Sequence, residues 1–201
     1  MLLDAEDSQL VLVDYQERLL PALSDGAQAL ANAVRLARMA QMLEVPVLGT
    51  EQSPGKLGPN APELRSLCLR TLQKTSFGAA SDGLADWLRP VVKQQGGNAR
   101  SLPKHLQKPA AAAPQGRQTI VIAGCEAHVC LLQTALELIE QEFDVWVVTD
   151  ACASRTERNR DAAFDRLAGA GAELVTTEMV AFEWLRGADH PLFREVQALI
   201  K

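Results

Sequence analysis

A cysteine is useful to an enzyme when it can become a thiolate, and Cys130 stands where that is favoured. The run Thr119-Ile-Val-Ile-Ala is short, apolar and β-branched, as a fully buried strand would be. After it, Val129, Leu132, Ala135, Leu136 and Ile139 recur at helical spacing. Gly124-Cys-Glu-Ala-His-Val-Cys therefore reads as a strand-to-helix turn with Cys130 in the first turn of the helix. Free backbone N–H groups and the positive end of the helix dipole favour an anion there. A buried, inert cysteine is the alternative for the residue taken alone. Asp14 closes another buried run, Gln9-Leu-Val-Leu-Val, and Lys74 follows a weaker one. A carboxylate can take the thiol proton, and an ammonium beside both relieves the repulsion between the two anions. Asp14, Lys74 and Cys130 together hold the parts for nucleophilic attack on a carbonyl or imidate carbon, with turn N–H groups to receive the oxyanion. Taken singly, Asp14 also reads as a loop-capping carboxylate and Lys74 as a solvated surface lysine.

These three residues meet only if the fold brings their strands together. A helix with its apolar face on Leu30, Ala33, Val34, Ala37 and Ala40 follows the first strand, and Val45-Pro-Val-Leu-Gly makes a short second strand. Residues 50–62, rich in Gly and Pro, read as a loop, 67–72 as the third strand and 84–92 as a short helix. Residues 143–150 make a fifth strand, and Ser154 with Glu157 suggests a capping box opening a helix to Ala168. A sixth strand at 172–176, a helix at 177–185 and a last amphipathic helix at 192–200 complete the chain. Alternating strands and helices predict an α/β, three-layer α-β-α fold with a six-stranded, mostly parallel sheet. In the Rossmann-like order 3-2-1-4-5-6, strands one and four flank the topological switch point, so Asp14 and Cys130 face each other across the ligand crevice.

The 201 residues suit a single domain spanning 1–201. Residues 93–117 carry Gly-Gly, three prolines, an alanine run, basic residues and no acidic one; they read as a flexible insertion or as a lid. The net charge of -5 gives no support for a nucleic-acid partner. No apolar run is long enough to cross a bilayer and no signal-peptide pattern opens the chain, so no membrane partner and a cytoplasmic location are expected. Four cysteines without C-x-x-C pairing imply reduced thiols, and His105, His128 and His190 have no zinc-site spacing with them. No cofactor and no metal are expected. Asp14-Tyr-Gln-Glu stands where a dinucleotide fold would need glycines.

Four stretches, taken in order, resemble the isochorismatase-like cysteine hydrolases over nearly the whole chain. They are Leu12-Val-Asp-Tyr-Gln, Lys74-Thr-Ser-Phe, Gly124-Cys-Glu-Ala-His-Val-Cys with Gln133 and Thr134, and Val148-Thr-Asp-Ala-Cys-Ala-Ser. Thr50-Glu-Gln followed by Gly55-Lys-Leu-Gly resembles the isochorismatase domain-containing subgroup. The resemblance implies Asp14 as general base, Lys74 as the positioning and polarising cation and Cys130 as nucleophile. It also implies a non-proline cis peptide between Cys125 and Glu126, with the N–H groups of Glu126 and Cys130 forming an oxyanion hole. A small-molecule substrate and a homo-oligomer, dimer or larger, follow by the same analogy.

Nicotinamidases of that family hold a metal through an Asp-x-His cluster after the second strand, where this chain has Thr50-Glu-Gln and no histidine before His105. The cysteine leans towards amide, carbamoyl or related substrates rather than isochorismate. Tyr15, Gln16, Phe77 and His128 are the candidates to line the substrate pocket, and Trp184 could join an aromatic wall. Core packing, or for His128 a structural hydrogen bond, is the other reading of these residues. Two further functions compete: a catalytically silent binding or scaffold protein keeping the fold, and a thiol redox protein using Cys125 and Cys130.

Overall fold

A computed structural model describes residues 1–89 and 116–201. Six strands form one sheet: β1 (Ser8–Val13), β2 (Val47–Gln52), β3 (Arg70–Lys74), β4 (Thr119–Gly124), β5 (Asp144–Val148) and β6 (Glu173–Val175). Their order is β3-β2-β1-β4-β5-β6 and every pairing is parallel, as the alternating pattern predicts. The central strands β1, β2 and β4 are buried along their whole length, because helices cover both faces of the sheet. Helix α1 (Gly26–Met42) turns Ala29, Ala33, Leu36, Ala37 and Ala40 inward. Two short helical turns follow, α2 (Pro54–Leu57) and α3 (Pro62–Arg65), then α4 (Ala85–Leu88), α5 (Leu132–Glu140), α6 (Glu157–Gly169), α7 (Thr177–Leu185) and α8 (Phe193–Ile200). Helix α1 packs with α7 and α8 on one face of the sheet, and α5 with α6 on the other.

Three local expectations need correction. Thr50, Glu51 and Gln52 are strand rather than loop: β2 continues through them, pairing Thr50 with Val13 and Gln52 with Lys74. Their polar side chains hid this, since a buried strand normally reads as apolar. The third strand likewise begins at Arg70, not at 67. Helix α6 is capped by Thr156, whose hydroxyl accepts from the Asn159 N–H, while Ser154 is drawn away to His128.

The sheet needs Gly124 at the end of β4. A Cβ there would stand 2.5 Å from Val13 Cβ and 2.6 Å from the Val13 carbonyl oxygen, inside the β1 backbone. This close approach brings the turn after β4 against the carboxyl end of β1.

The expected insertion at 93–117 lies outside the described residues except for Gly116 and Arg117. Arg117 belongs to the fold, donating to the carbonyls of Ala5, ahead of β1, and of Ser8, its first residue. Among the described residues no helix is long and apolar enough to cross a membrane.

Candidate active site

At the carboxyl edge of the sheet, β1, β2 and β3 each deliver a polar side chain to one buried spot. Asp14 directly follows β1 with a positive φ of 56°, a conformation that aspartate tolerates better than most residues. Its Oδ1 accepts from Thr50 Oγ1 at 2.6 Å, and its Oδ2 accepts from Lys74 Nζ at 2.8 Å. The Asp14 and Lys74 side chains are both 0% exposed. Lys74 Nζ also donates to Gln52 Oε1 at 3.0 Å, to Phe77 O at 2.9 Å and to Ser76 O at 3.3 Å. Such saturation is what a fully buried ammonium requires. Thr50 and Gln52, two apart on β2, share a face and reach the same spot. Sequence reasoning missed both because it placed them in a loop; period-two alternation carried through Gln52 would have found them.

From the other side comes the turn after β4. A wide helical turn, Ala127–Leu131, leads into α5 and places Cys130 in the first turn of the continuous helix. The Cys125–Glu126 peptide is cis, and the Glu126 N–H makes no hydrogen bond among the described residues. Cys130 is 5% exposed. Burial pushes its thiol up to about 12; the Asp14 carboxylate it meets adds to this by charge and by hydrogen bonding, while Lys74 works against it. The resting sulfur is therefore a buried thiol under the influence of a carboxylate, not the free thiolate that helix position alone predicts. Desolvation outweighs the helix terminus here because the sulfur has almost no contact with water.

The loop between β5 and α6 clamps the turn from behind. Ala127 N donates to Ala153 O at 2.8 Å, and Arg155 donates to the Glu126 carboxylate through its backbone N at 2.9 Å and through its guanidinium. Hydrogen bonding from Arg155 holds the Glu126 carboxyl below its usual range against the opposing effect of burial. His128 Nδ1 lies 3.0 Å from Ser154 Oγ and Nε2 lies 3.3 Å from Asn159 Nδ2. With the Asn159 amide donating, Nε2 accepts and the ring proton sits on Nδ1.

Of the expected pocket residues, two are taken up by the scaffold. Tyr15 is fully buried with its hydroxyl on Ala151 O. Gln16 is also fully buried; it donates to the carbonyls of Gln52 and Gly58 and accepts from the Gln52 N–H. Phe77 is exposed at the rim, its carbonyl turned to Lys74. Trp184 belongs to the opposite end of the sheet, where its indole N–H meets Ser8 Oγ at 3.1 Å, so it forms no wall of this site. No cluster of three or more metal-ligating side chains occurs among the described residues.

The other cysteines are equally guarded. Burial raises Cys68 to about 11 and Cys152 to about 12, and pushes Cys125 well above its ordinary 9.0. A raised thiol is protonated in the native state, whereas the unfolded chain releases its proton above the ordinary value. The stabilisation is thus complete below pH 9 and is lost progressively as the pH climbs towards 12. Thermal melts from pH 7 to 10.5 should show a midpoint that holds and then falls above about pH 9. Cys152→Ala should flatten that fall; an equally steep fall in the variant would refute the assignment to buried thiols.

A parallel sheet in this order, with a cysteine at the start of the helix after β4 facing an Asp–Lys pair across the switch point, defines a doubly wound α/β scaffold with a candidate nucleophile at its ligand crevice. A family model for the isochorismatase domain matches residues 8–179, and the chain belongs to that family of hydrolases. It is 37% identical to mouse isochorismatase domain-containing protein 2B over 196 residues, covering 98% of this chain and 82% of the relative. It is 36% identical to the human isochorismatase domain-containing protein 2, covering 96% and 83%. Among solved structures, the MAR1 ribonuclease of Caenorhabditis elegans superposes with a TM-score of 0.80 at 29% identity, covering 100% and 92% of the two chains. The YcaC protein of Escherichia coli, described as an octameric hydrolase of unknown specificity, gives 0.78 at 26% identity over 100% and 95%.

Proposed function

We propose that this protein is a cysteine hydrolase that cleaves a small amide, carbamoyl or related bond through a thioester-type intermediate on Cys130, with Asp14 and Lys74 as its partners. The observation that carries the reading is the burial of Asp14 among Thr50, Lys74 and the Cys130 thiol. A carboxylate committed to two donors still offers lone pairs to the thiol proton. As sulfur attacks the substrate carbon, its proton passes to Asp14 and the negative charge moves from the carboxylate to the carbonyl oxygen, while Lys74 holds Asp14 in place. The developing oxyanion is received by the N–H groups of Glu126 and Cys130. Collapse expels the amine, which takes the proton from Asp14. Water, deprotonated by Asp14, then attacks the thioester, and Cys130 recovers a proton as it leaves.

The thiol starts high because the site is dry, so attack and proton transfer must be concerted; a free thiolate would be a minor species. The net charge of -5 and the near-closed sulfur favour a small neutral substrate over the nucleic acid that a ribonuclease, as the nematode neighbour is called, would take. By analogy with the octameric bacterial neighbour, the chain is read as a homo-oligomer. A silent scaffold is the competing function, but a buried, fully bonded Asp–Lys pair beside a thiol is costly to keep without chemistry.

Intact-mass analysis after exposure to a panel of small amides, ureas and carbamoyl compounds tests the reading. An adduct on Cys130 that decays with time, and is absent in Cys130→Ala, is the expected result. Turnover of the same compound by Cys130→Ala at the wild-type rate would overturn it.

A further inference from the structure

We infer that Glu137, assisted by Thr134, is a positioning residue that sets the distance between the Lys74 ammonium and the Cys130 sulfur. The inference rests on the proposed role of Lys74. Lys74 Nζ has four acceptors: besides Asp14 and Gln52 they are the carbonyls of Ser76 and Phe77, in the loop just after β3. The next residues of that loop are fastened to α5. Ala79 N donates to Thr134 Oγ1 at 3.1 Å, and Ala80 N and Ser81 N donate to Glu137 Oε2 at 2.9 and 3.2 Å. Both acceptors lie on the helix that carries the nucleophile. Cys130, Thr134 and Glu137 are spaced i, i+4 and i+7, which aligns them on one face.

Gly78 shows how closely the two parts fit. A Cβ on Gly78 would stand 2.0 Å from Glu137 Oε1 and 2.5 Å from its Cδ, so the carboxylate occupies the space a side chain would need. Residues 75–77 are exposed, whereas 78–80 are buried against the helix. One carboxylate thus accepts from two adjacent N–H groups and fills the space above Gly78. The helix that presents the sulfur thereby also holds the carbonyls that hold the ammonium. Lys74 cannot drift from Cys130 unless this clasp opens. Charged groups acting on the sulfur are Asp14 from the end of β1, Lys74 from β3 and Glu126 from the turn; Glu126 is paired with Arg155, so a displaced ammonium leaves the Asp14 carboxylate unopposed.

The test needs no substrate. The alkylation rate of Cys130 by iodoacetamide, read on its own peptide by mass spectrometry at fixed pH, follows the thiolate fraction. Lys74→Met should slow it by about tenfold or more, one unit of thiol shift being tenfold. Glu137→Ala and Thr134→Val should slow it in the same direction by several-fold, and Glu137→Gln, which keeps an acceptor oxygen, should recover most of the rate. If Lys74→Met is slow while both Glu137→Ala and Thr134→Val match the wild type or react faster, the positioning role is wrong and the role of Lys74 stands. If Lys74→Met itself reacts at the wild-type rate, the role of Lys74 falls and this inference with it. Thr134→Val removes one hydroxyl only, so it decides the matter if Glu137→Ala does not fold.

Discussion

Asp14→Asn should make Cys130 more reactive towards a simple alkylating agent while destroying its turnover. The two effects part because Asp14 does two opposed things. As a buried carboxylate beside the sulfur it raises the thiol, by charge and by accepting its hydrogen bond. Removing that charge leaves Lys74 as the nearest ion, so the thiolate fraction at pH 8 rises and iodoacetamide reacts faster at Cys130. In the proposed mechanism, however, Asp14 is the base that takes the thiol proton and later activates water, and asparagine can do neither. The expected loss in kcat for any compound that forms a Cys130 adduct is about 10²–10⁴-fold. The amide is isosteric: its oxygen can accept from Lys74 while its NH2 donates to the Thr50 hydroxyl, so gross rearrangement is not the cause. Slower alkylation in Asp14→Asn would contradict the electrostatics of the site. Retained turnover would remove Asp14 from the mechanism.

The second large effect concerns stability. Lys74→Met should cost the fold about 3–5 kcal/mol, the usual consequence of stranding one member of a buried ion pair. Asp14 keeps Thr50 as a donor but loses the cation it is paired with, and its side chain has no exposed surface through which water could help. The loss should shrink as the pH falls, since protonating the stranded carboxylate removes the buried charge. Adding Asp14→Asn to Lys74→Met should restore most of the stability, because neither member is then ionised. Urea titrations of the wild type, the two single variants and the double variant give the coupling directly. A single-variant loss below about 1 kcal/mol with no recovery in the double variant would mean the pair is effectively solvated, since pairs at exposed sites contribute no more than that.

Both predictions depend on polar contacts that a linear reading cannot rank. Apolar runs with turn residues between them sufficed for the strand ends bearing Asp14 and Lys74 and for the turn bearing Cys130, while the sheet order followed from the arrangement common to alternating folds. What escaped was the polar end of β2. Thr50 and Gln52 resemble loop residues until β1 and β3 are placed on either side of them, when their hydroxyl and amide become the partners of Asp14 and Lys74. Likewise Ser154 with Glu157 has the spacing of a capping box, yet Ser154 pairs with His128 across 26 residues and Thr156 takes the cap.

The sequence by itself determined the class of fold and the strand and helix ends that carry Asp14, Lys74 and Cys130, because buried strands and helix starts are local patterns of hydrophobicity and chain stiffness. Only the tertiary structure decided the state of Cys130 and the idle or active standing of its neighbours. Helix position predicts a thiolate, but the thiol is pushed up to about 12, since desolvation and the carboxylate of Asp14 depend on what packs around the sulfur. Tyr15 and Gln16 sit in a motif beside the base, yet their hydrogen bonds are spent inside the scaffold. Glu137 carries no sequence signal beyond its spacing from Cys130, and gains a role only because the loop after β3 folds onto it. Burial and long-range hydrogen bonding are properties of neighbours distant in sequence, and those neighbours exist only once the chain has closed.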